Sequence, residues 1–73
     1  MSTHERLIVY LQEEIQEHGA AQAEALVRDW SAALGEMSEA GLNISWPAMD
    51  LEMACKKLGF KLNVMKEIAR GED

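Results

Sequence analysis

The feature that most constrains the fold is a glycine, Gly59, which interrupts two overlapping apolar patterns in the second half of the chain. One pattern alternates spacings of four and three residues, as in a coiled coil, and would form the seam of a single helix over 46–70. The residues of this seam are Leu51, Cys55, Leu58, Leu62, Met65 and Ala69. Since each helical residue advances roughly 100°, the same helix would carry a second apolar set on its opposite side. This second set consists of Met49, Met53, Phe60 and Val64. A helix that is apolar on both sides must be buried on both sides, which a 73-residue chain can hardly achieve as a monomer.

A break at Gly59 resolves this conflict, because the segment after the glycine can then turn independently of the helix before it. The residues that can share one core after such a break are Ala54, Cys55, Leu58, Phe60, Met65 and Ile68. We therefore predict two helices here, over about 46–58 and 61–70. One continuous helix over 46–70 is the alternative that the structure must test.

Two more helices are predicted in the first half of the chain. Ser2 and Glu5 have the spacing of a capping box, and apolar residues at helical spacing continue from there to Gly19. A second, alanine-rich apolar series runs over 20–39. Pro47 is the one proline of the chain, which also favours an all-helical domain. We predict a single all-α domain over residues 1–73, a small bundle of about four helices. The predicted helices span about 3–18, 20–39, 46–58 and 61–70.

The segment before the third predicted helix contains a helix start signal. Ser45 can act as its N-cap, and Pro47 is tolerated in the first turn, where its missing N–H would have no helical partner. We expect Trp46 to fill the core beside Ile44. Cys55 is the only cysteine, so no internal disulfide can form, and we expect it to be a small core residue.

Residues 51–70 resemble the helix-turn-helix motif of DNA-binding proteins. The matching features are a small residue, a leucine three positions later, the turn glycine, an apolar residue after it, and apolar positions six and nine after the glycine. In this chain they are Cys55, Leu58, Gly59, Phe60, Met65 and Ile68. The resemblance implies that the segment after Gly59 is a recognition helix that enters the major groove of double-stranded DNA.

The positions that the motif leaves exposed are mostly polar here. They are Lys61, Leu62, Asn63, Lys66, Glu67 and Arg70. The sequence departs from the motif at Lys61, where the family usually has a Ser or Thr cap, and Asn63 could cap the helix later instead. No further helix follows, so support must come from the first two helices or from a second subunit.

The charge of the chain is unevenly distributed. The formal net charge is −6, which argues against a simple, strongly basic nucleic-acid binder. Residues 1–53 carry ten acids and two arginines, giving −8, whereas residues 54–70 carry five Lys or Arg and one Glu, giving +4. Three interpretations of this basic segment stay open: contact with DNA, docking to an acidic protein surface, or a solvated helical face. The candidate DNA- or partner-binding residues are Lys56, Lys57, Lys61, Asn63, Lys66 and Arg70.

The sequence contains no catalytic motif, phosphate-binding glycine loop or metal-ligand spacing, so we expect neither an enzyme nor a cofactor. No signal peptide and no apolar run of about 20 residues is present, which predicts a cytoplasmic protein without a membrane partner. Small chains often gain stability by oligomerising, so we expect a homodimer. The leading hypothesis is a helix-turn-helix transcriptional regulator of the kind found on phages, plasmids and bacterial chromosomes. The alternative is a small acidic helical adaptor or inhibitor that binds another protein, and exposure of Met49 and Met53 would favour it.

Overall fold

The computed structural model describes residues 1–72, and these form four α-helices and no strand. The helices are α1 (Thr3–His18), α2 (Ala20–Glu39), α3 (Ser45–Leu58) and α4 (Val64–Gly71). The predicted all-α bundle is therefore confirmed, as are the bounds of its first two helices. Among these helices, none has the length and apolar character needed to cross a membrane.

The start of α1 is held by the predicted capping box. The backbone N–H of Glu5 donates to Oγ of Ser2 at 3.4 Å, and the backbone N–H of Ser2 donates to Oε1 of Glu5 at 3.2 Å. The hydrogen bonds from the hydroxyl and then the backbone of Ser2 lower the pKa of the Glu5 carboxyl. The backbone N–H groups of Ser2 and Glu5 have no partner within the helix, and these two hydrogen bonds satisfy them. The helix α1 therefore begins where the sequence predicts.

The core lies where α1, α2 and α3 meet, and α4 packs mainly against α2. Its buried apolar side chains are aliphatic and mostly small. They are Leu11, Ala23, Val27, Leu34, Ala48, Leu51, Ala54, Cys55, Val64 and Ile68. All the aromatic side chains lie within the described residues, and none of them is fully buried. The core therefore contains few large side chains for a domain of this length, and we call this a thin core.

The contact between α2 and α4 depends on small residues. A Cβ atom at Gly35 would collide with the carbonyl oxygen of Ile68 and with the backbone of Gly71. A Cβ atom at Gly71 would collide in turn with the carbonyl group of Ala32. The helix α2 continues through Gly35 to Glu39, as predicted. The missing side chain of Gly35 lets α4 approach the backbone of α2.

The chain breaks at Gly59, which rules out one continuous helix over 46–70. Gly59 has φ +74° and ψ +22°, a left-handed conformation that glycine adopts at no steric cost. The N–H of Phe60 donates to the carbonyl of Cys55 at 3.0 Å, and that of Gly59 donates to the carbonyl of Lys56 at 3.3 Å. This is the Schellman arrangement, which satisfies the last carbonyl groups of α3.

The start of α4 is later than predicted. Residues 60–63 are not helical, and α4 begins at Val64 instead of Lys61. Asn63 is the N-cap, and its Oδ1 accepts a hydrogen bond from the backbone N–H of Lys66 at 3.2 Å. Lysine has no acceptor, so Lys61 cannot cap a helix, and the first residue able to do so sets the start.

The residues of α4 that face the core also differ from the prediction. Val64 and Ile68, four residues apart, are buried on one face, while Met65 is exposed. The prediction that Met65 joins the core was therefore wrong. Leu62, expected to be exposed, lies in the connection and packs partly buried against the core, as Phe60 does.

Trp46 was also predicted wrongly, since 75% of it is exposed. The helix includes Ser45, so Ser45 is not the N-cap; its N–H donates instead to Oδ1 of Asn43 at 3.0 Å. Within α3, Ala48 and Leu51 point to the core. Trp46 precedes Ala48 by two helical positions, roughly 200° around the axis, and so faces outward.

Candidate functional site

All six residues predicted to bind DNA or a partner are exposed and lie on the α3–α4 part of the chain. Lys56 and Lys57 are in the last turn of α3, Lys61 is in the connection, and Lys66 and Arg70 lie one turn apart on α4. We call Lys56, Lys57, Lys61, Lys66 and Arg70 the basic surface. No lysine forms an ion pair with a carboxylate within residues 1–72, and all four lysines of this surface are exposed.

Asn63 differs from the other five candidates because its side chain is used within the fold. Its carboxamide oxygen is the acceptor that starts α4. The residue therefore positions Lys66 and Arg70 by fixing where their helix begins. The cap uses only the oxygen atom of this exposed side chain, so the predicted contact of Asn63 with DNA or a partner stays a prediction.

Arg70 is the one residue of the basic surface with an ion pair inside the described chain. Its Nη1 lies 3.5 Å from Oε1 of Glu67, three residues earlier on α4. The Arg70 side chain is 73% exposed and that of Glu67 only 13%. The guanidinium therefore covers a partly buried carboxylate but keeps most of its own surface available.

Two shallow hollows bring parts of the basic surface together. A hollow of about 260 Å³ joins the end of α3 to the connection, and both Lys56 and Lys61 line it. The remaining residues around it are Glu52, Cys55, Phe60, Leu62, Asn63 and Val64. A second hollow lies beside Met53, Lys56 and Lys57. Lys66 and Arg70 border neither hollow and project from α4.

The thiol of Cys55 lies below this surface and is buried, as predicted. Desolvation by burial, followed by the charges of Glu24 and Glu52, raises the pKa of Cys55 to about 11. A thiol with such a pKa is protonated at neutral pH and is a poor nucleophile. Cys55 is thus a packing residue.

Three methionines are exposed next to the basic surface. Met49 and Met53 lie one turn apart on α3, and Met65 is on α4. Met49 and Met65 line one hollow, together with Ile44. Met53 lines a separate hollow with Lys56 and Lys57. We call Met49, Met53 and Met65 the methionine strip. Its exposure meets the condition that favours binding of another protein.

A second surface, which the sequence did not reveal, lies at the amino-terminal ends of α1 and α3. An apolar hollow of about 490 Å³ there lies between three helices. Its lining residues are Thr3, Leu7, Trp30, Ala33, Leu34, Trp46, Pro47, Asp50 and Leu51. A neighbouring hollow shares Thr3, Leu7 and Trp30 with it and adds Arg6 and Tyr10. We call these two joined hollows the aromatic groove.

The aromatic groove is held by an aromatic pair from two helices. The rings of Tyr10 and Trp30 have centroids 5.8 Å apart and planes tilted by 40°. This pair fixes one wall, and the exposed indole of Trp46 forms the other. The one signal in the sequence was the unusual Trp46-Pro47 pair, but only the packing of α1 and α2 places Leu7 and Trp30 beside it.

Within the described residues, no three His, Cys, Asp or Glu side chains are arranged to hold a metal ion. Comparison with known proteins adds no identification: the chain matches no family model, and no significant match was found among curated proteins or solved structures.

Proposed function

We propose that this protein is a non-enzymatic, helix-turn-helix regulator that binds double-stranded DNA through its basic surface. The observation that carries the proposal is the break at Gly59. Because α3 ends there, α4 is a separate short helix with Lys66 and Arg70 exposed. A helix that enters the major groove has to be separate from the helix before it and to expose basic side chains, and these two features of α4 support the proposal.

The two helices that carry the basic surface have distinct roles in this proposal. Lys56 and Lys57, at the end of α3, contact phosphates and position the motif without reading sequence. Lys66 and Arg70 on α4 reach the groove, where a lysine or arginine pairs with the acceptors of guanine. The surplus of acidic residues over residues 1–53 keeps the other sides of the protein away from DNA.

Binding to labelled duplex DNA, followed by fluorescence anisotropy at low and moderate salt, tests this proposal. Low salt strengthens phosphate contacts, so affinity should fall steeply as salt rises. Arg70→Glu should weaken binding about tenfold or more. Arg28→Glu makes the same charge change at an exposed position of α2 and should have a smaller effect. Absence of binding at low salt, or equal effects of the two substitutions, would refute the proposal.

A second candidate function is binding of an acidic protein by the same part of the chain. The methionine strip beside Lys56 and Lys57 supports it, since methionines form adaptable apolar contacts and the lysines complement acidic side chains. In this case the protein acts as a small adaptor or inhibitor.

Capture of partners from host lysate, with and without nuclease, separates the two candidates. A DNA-mediated partner is lost after nuclease treatment, and a direct protein partner is retained. Met53→Glu should abolish retention of a direct partner. Met37→Glu is the matched control, because Met37 lies on α2 and both methionines are 43% exposed. Retention that is insensitive to Met53→Glu would exclude the methionine strip as the binding site.

A further inference from the structure

We infer that the aromatic groove is the contact between two copies of this chain in a two-fold symmetric dimer. This inference concerns a surface that the proposed DNA or protein binding does not use, and it does not rest on either. The arguments for a second copy are the thin core of the monomer, the shape, charge and area of the groove, and the position of the groove on α2.

The first argument is the imbalance between what the monomer buries and what it exposes. Its buried core is aliphatic, while Trp46 and Tyr10 lie largely at the surface. Aromatic side chains bury more apolar surface than any others. A single core in so short a chain is marginal, and small proteins compensate by oligomerising. Burial of these rings against a second copy adds to the stability of the folded monomer.

The second argument is the shape of the groove. Trp46 projects from α3, and the hollow between Leu7, Trp30 and Leu34 lies directly beside it. In a two-fold contact the same patch meets itself, so a projection and a recess on one patch complement each other. Trp46 of each copy can then enter the hollow of the other.

The third argument is charge. The charged residues that line the groove are Arg6 and Asp50, one of each sign. The lining is therefore neutral, although each copy carries a net charge of −6. Two copies that meet here do not bring an excess of one charge against itself. A strongly basic partner would find no excess of acidic residues in this lining.

The exposed aromatic rings supply a substantial part of the area that a dimer needs. The exposed parts of Trp46 and Tyr10 alone provide roughly 250 Å² of mostly apolar surface, against about 800 Å² per partner in a standard stable interface. The remainder has to come from the walls of the groove and from the surface around it. Aromatic residues surrounded by a polar rim are also the composition typical of interface centres.

The position of the groove leaves the basic surface free in such a dimer. Trp30 and Ala33 line the groove, whereas Ala32 and Gly35 of the same helix contact α4. At roughly 100° per residue, the two pairs lie on opposite sides of α2. The dimer therefore presents two copies of α4 away from the contact between its subunits.

Analytical ultracentrifugation of the purified full chain over a range of concentrations tests the inference. The wild type should sediment as a dimer. Trp46→Ala should raise the dimer dissociation constant about tenfold or more, as expected for a central tryptophan. Ala33→Arg, which places a charged side chain at an exposed position in the groove, should give a monomer. Met49→Ala is the control, since Met49 is exposed on α3 outside the groove.

Circular dichroism shows whether each variant stays folded, which is expected because Trp46 and Ala33 are exposed in the monomer. A wild type that is monomeric at every concentration overturns the inference. It is equally overturned by a dimer that Trp46→Ala and Ala33→Arg weaken no more than Met49→Ala does. Neither result depends on whether the protein binds DNA, so the two proposals fail separately.

Discussion

The aromatic groove and the basic surface are built in opposite ways. Side chains from α1, α2 and α3, far apart in sequence, meet to form the groove, which is concave and apolar. The basic surface comes from one continuous stretch, 56–70, and consists of cations that project into solvent. A surface made of neighbouring residues depends on local structure, whereas the groove exists only if three helices pack correctly. The two surfaces should therefore respond differently to changes in the fold.

The largest expected effect comes from the glycine that attaches α4 to α2. In Gly35→Ala the new methyl group collides with backbone atoms of Ile68 and Gly71, which cannot move aside as a flexible side chain could. We expect a loss of about 3 kcal/mol or more in the free energy of unfolding, despite the better helix propensity of alanine. Urea denaturation measures this loss.

Gly71→Ala provides the comparison for that variant. It collides with Ala32 across the same contact, but Gly71 is the last residue of α4, so the chain end can shift. Its loss should be smaller. Equal stability of Gly35→Ala and the wild type would show that α4 does not pack closely on α2, and that the basic surface is not held in the described position.

An intermediate effect is expected from the pH dependence of Cys55. Burial and two carboxylates raise its pKa from 9.0 to about 11. Between these values the unfolded chain releases the thiol proton and the folded chain keeps it, so stability falls as pH rises from about 9 to 11. The loss attributable to this thiol should be up to about 2 kcal/mol.

Denaturation of the wild type and Cys55→Ala across this pH range measures the effect. Other groups titrate equally in both proteins, so the difference in slope reports the thiol. Cys55 lies beneath the hollow between Lys56 and Lys61. Parallel slopes in the two proteins would mean that this part of the basic surface is open to water below its lysines.

The smallest effect is expected at the turn that separates α3 from α4. Gly59→Ala introduces a side chain at φ +74°, which costs about 1 kcal/mol for a residue other than glycine. No atom lies close enough to collide with the new methyl group, so the cost should not be larger. Thermal unfolding followed by circular dichroism measures it. A more stable variant with higher helix content would indicate that α3 and α4 join into one helix, which would remove the basis of the DNA-binding proposal.

Much of the fold could be predicted from local patterns. The capping box at Ser2 and the change of conformation at Gly59 act within a few residues, so their signals are visible in the sequence. The exposure of Lys56, Lys57, Lys61, Lys66 and Arg70 was predictable for the same reason, because charged side chains seldom lie buried without a partner. The break at Gly59 was predicted because a single helix over 46–70 would be apolar on two opposite sides.

The errors have a common cause in the rotation of each helix about its axis. Met65 and Val64 are neighbouring apolar residues, and composition alone does not decide which one is buried. The packing of α4 against the rest of the bundle decides it, and Val64 is the residue that it buries. Trp46 was predicted to fill the core beside Ile44. In α3, however, Ala48 faces the core, and Trp46 lies roughly 200° around the helix axis from it, so Trp46 faces outward.

The sequence by itself determined four helices, the break at Gly59 and a basic segment on an acidic chain, because helix propensity, caps and charge are properties of short stretches. Only the tertiary structure decided that Gly35 and Gly71 lie in contact and that Trp30 and Trp46 line one groove. These relations depend on the distance and rotation between helices. The distance and rotation between helices are set jointly by many side chains that are far apart in sequence, so no single stretch of the sequence predicts them.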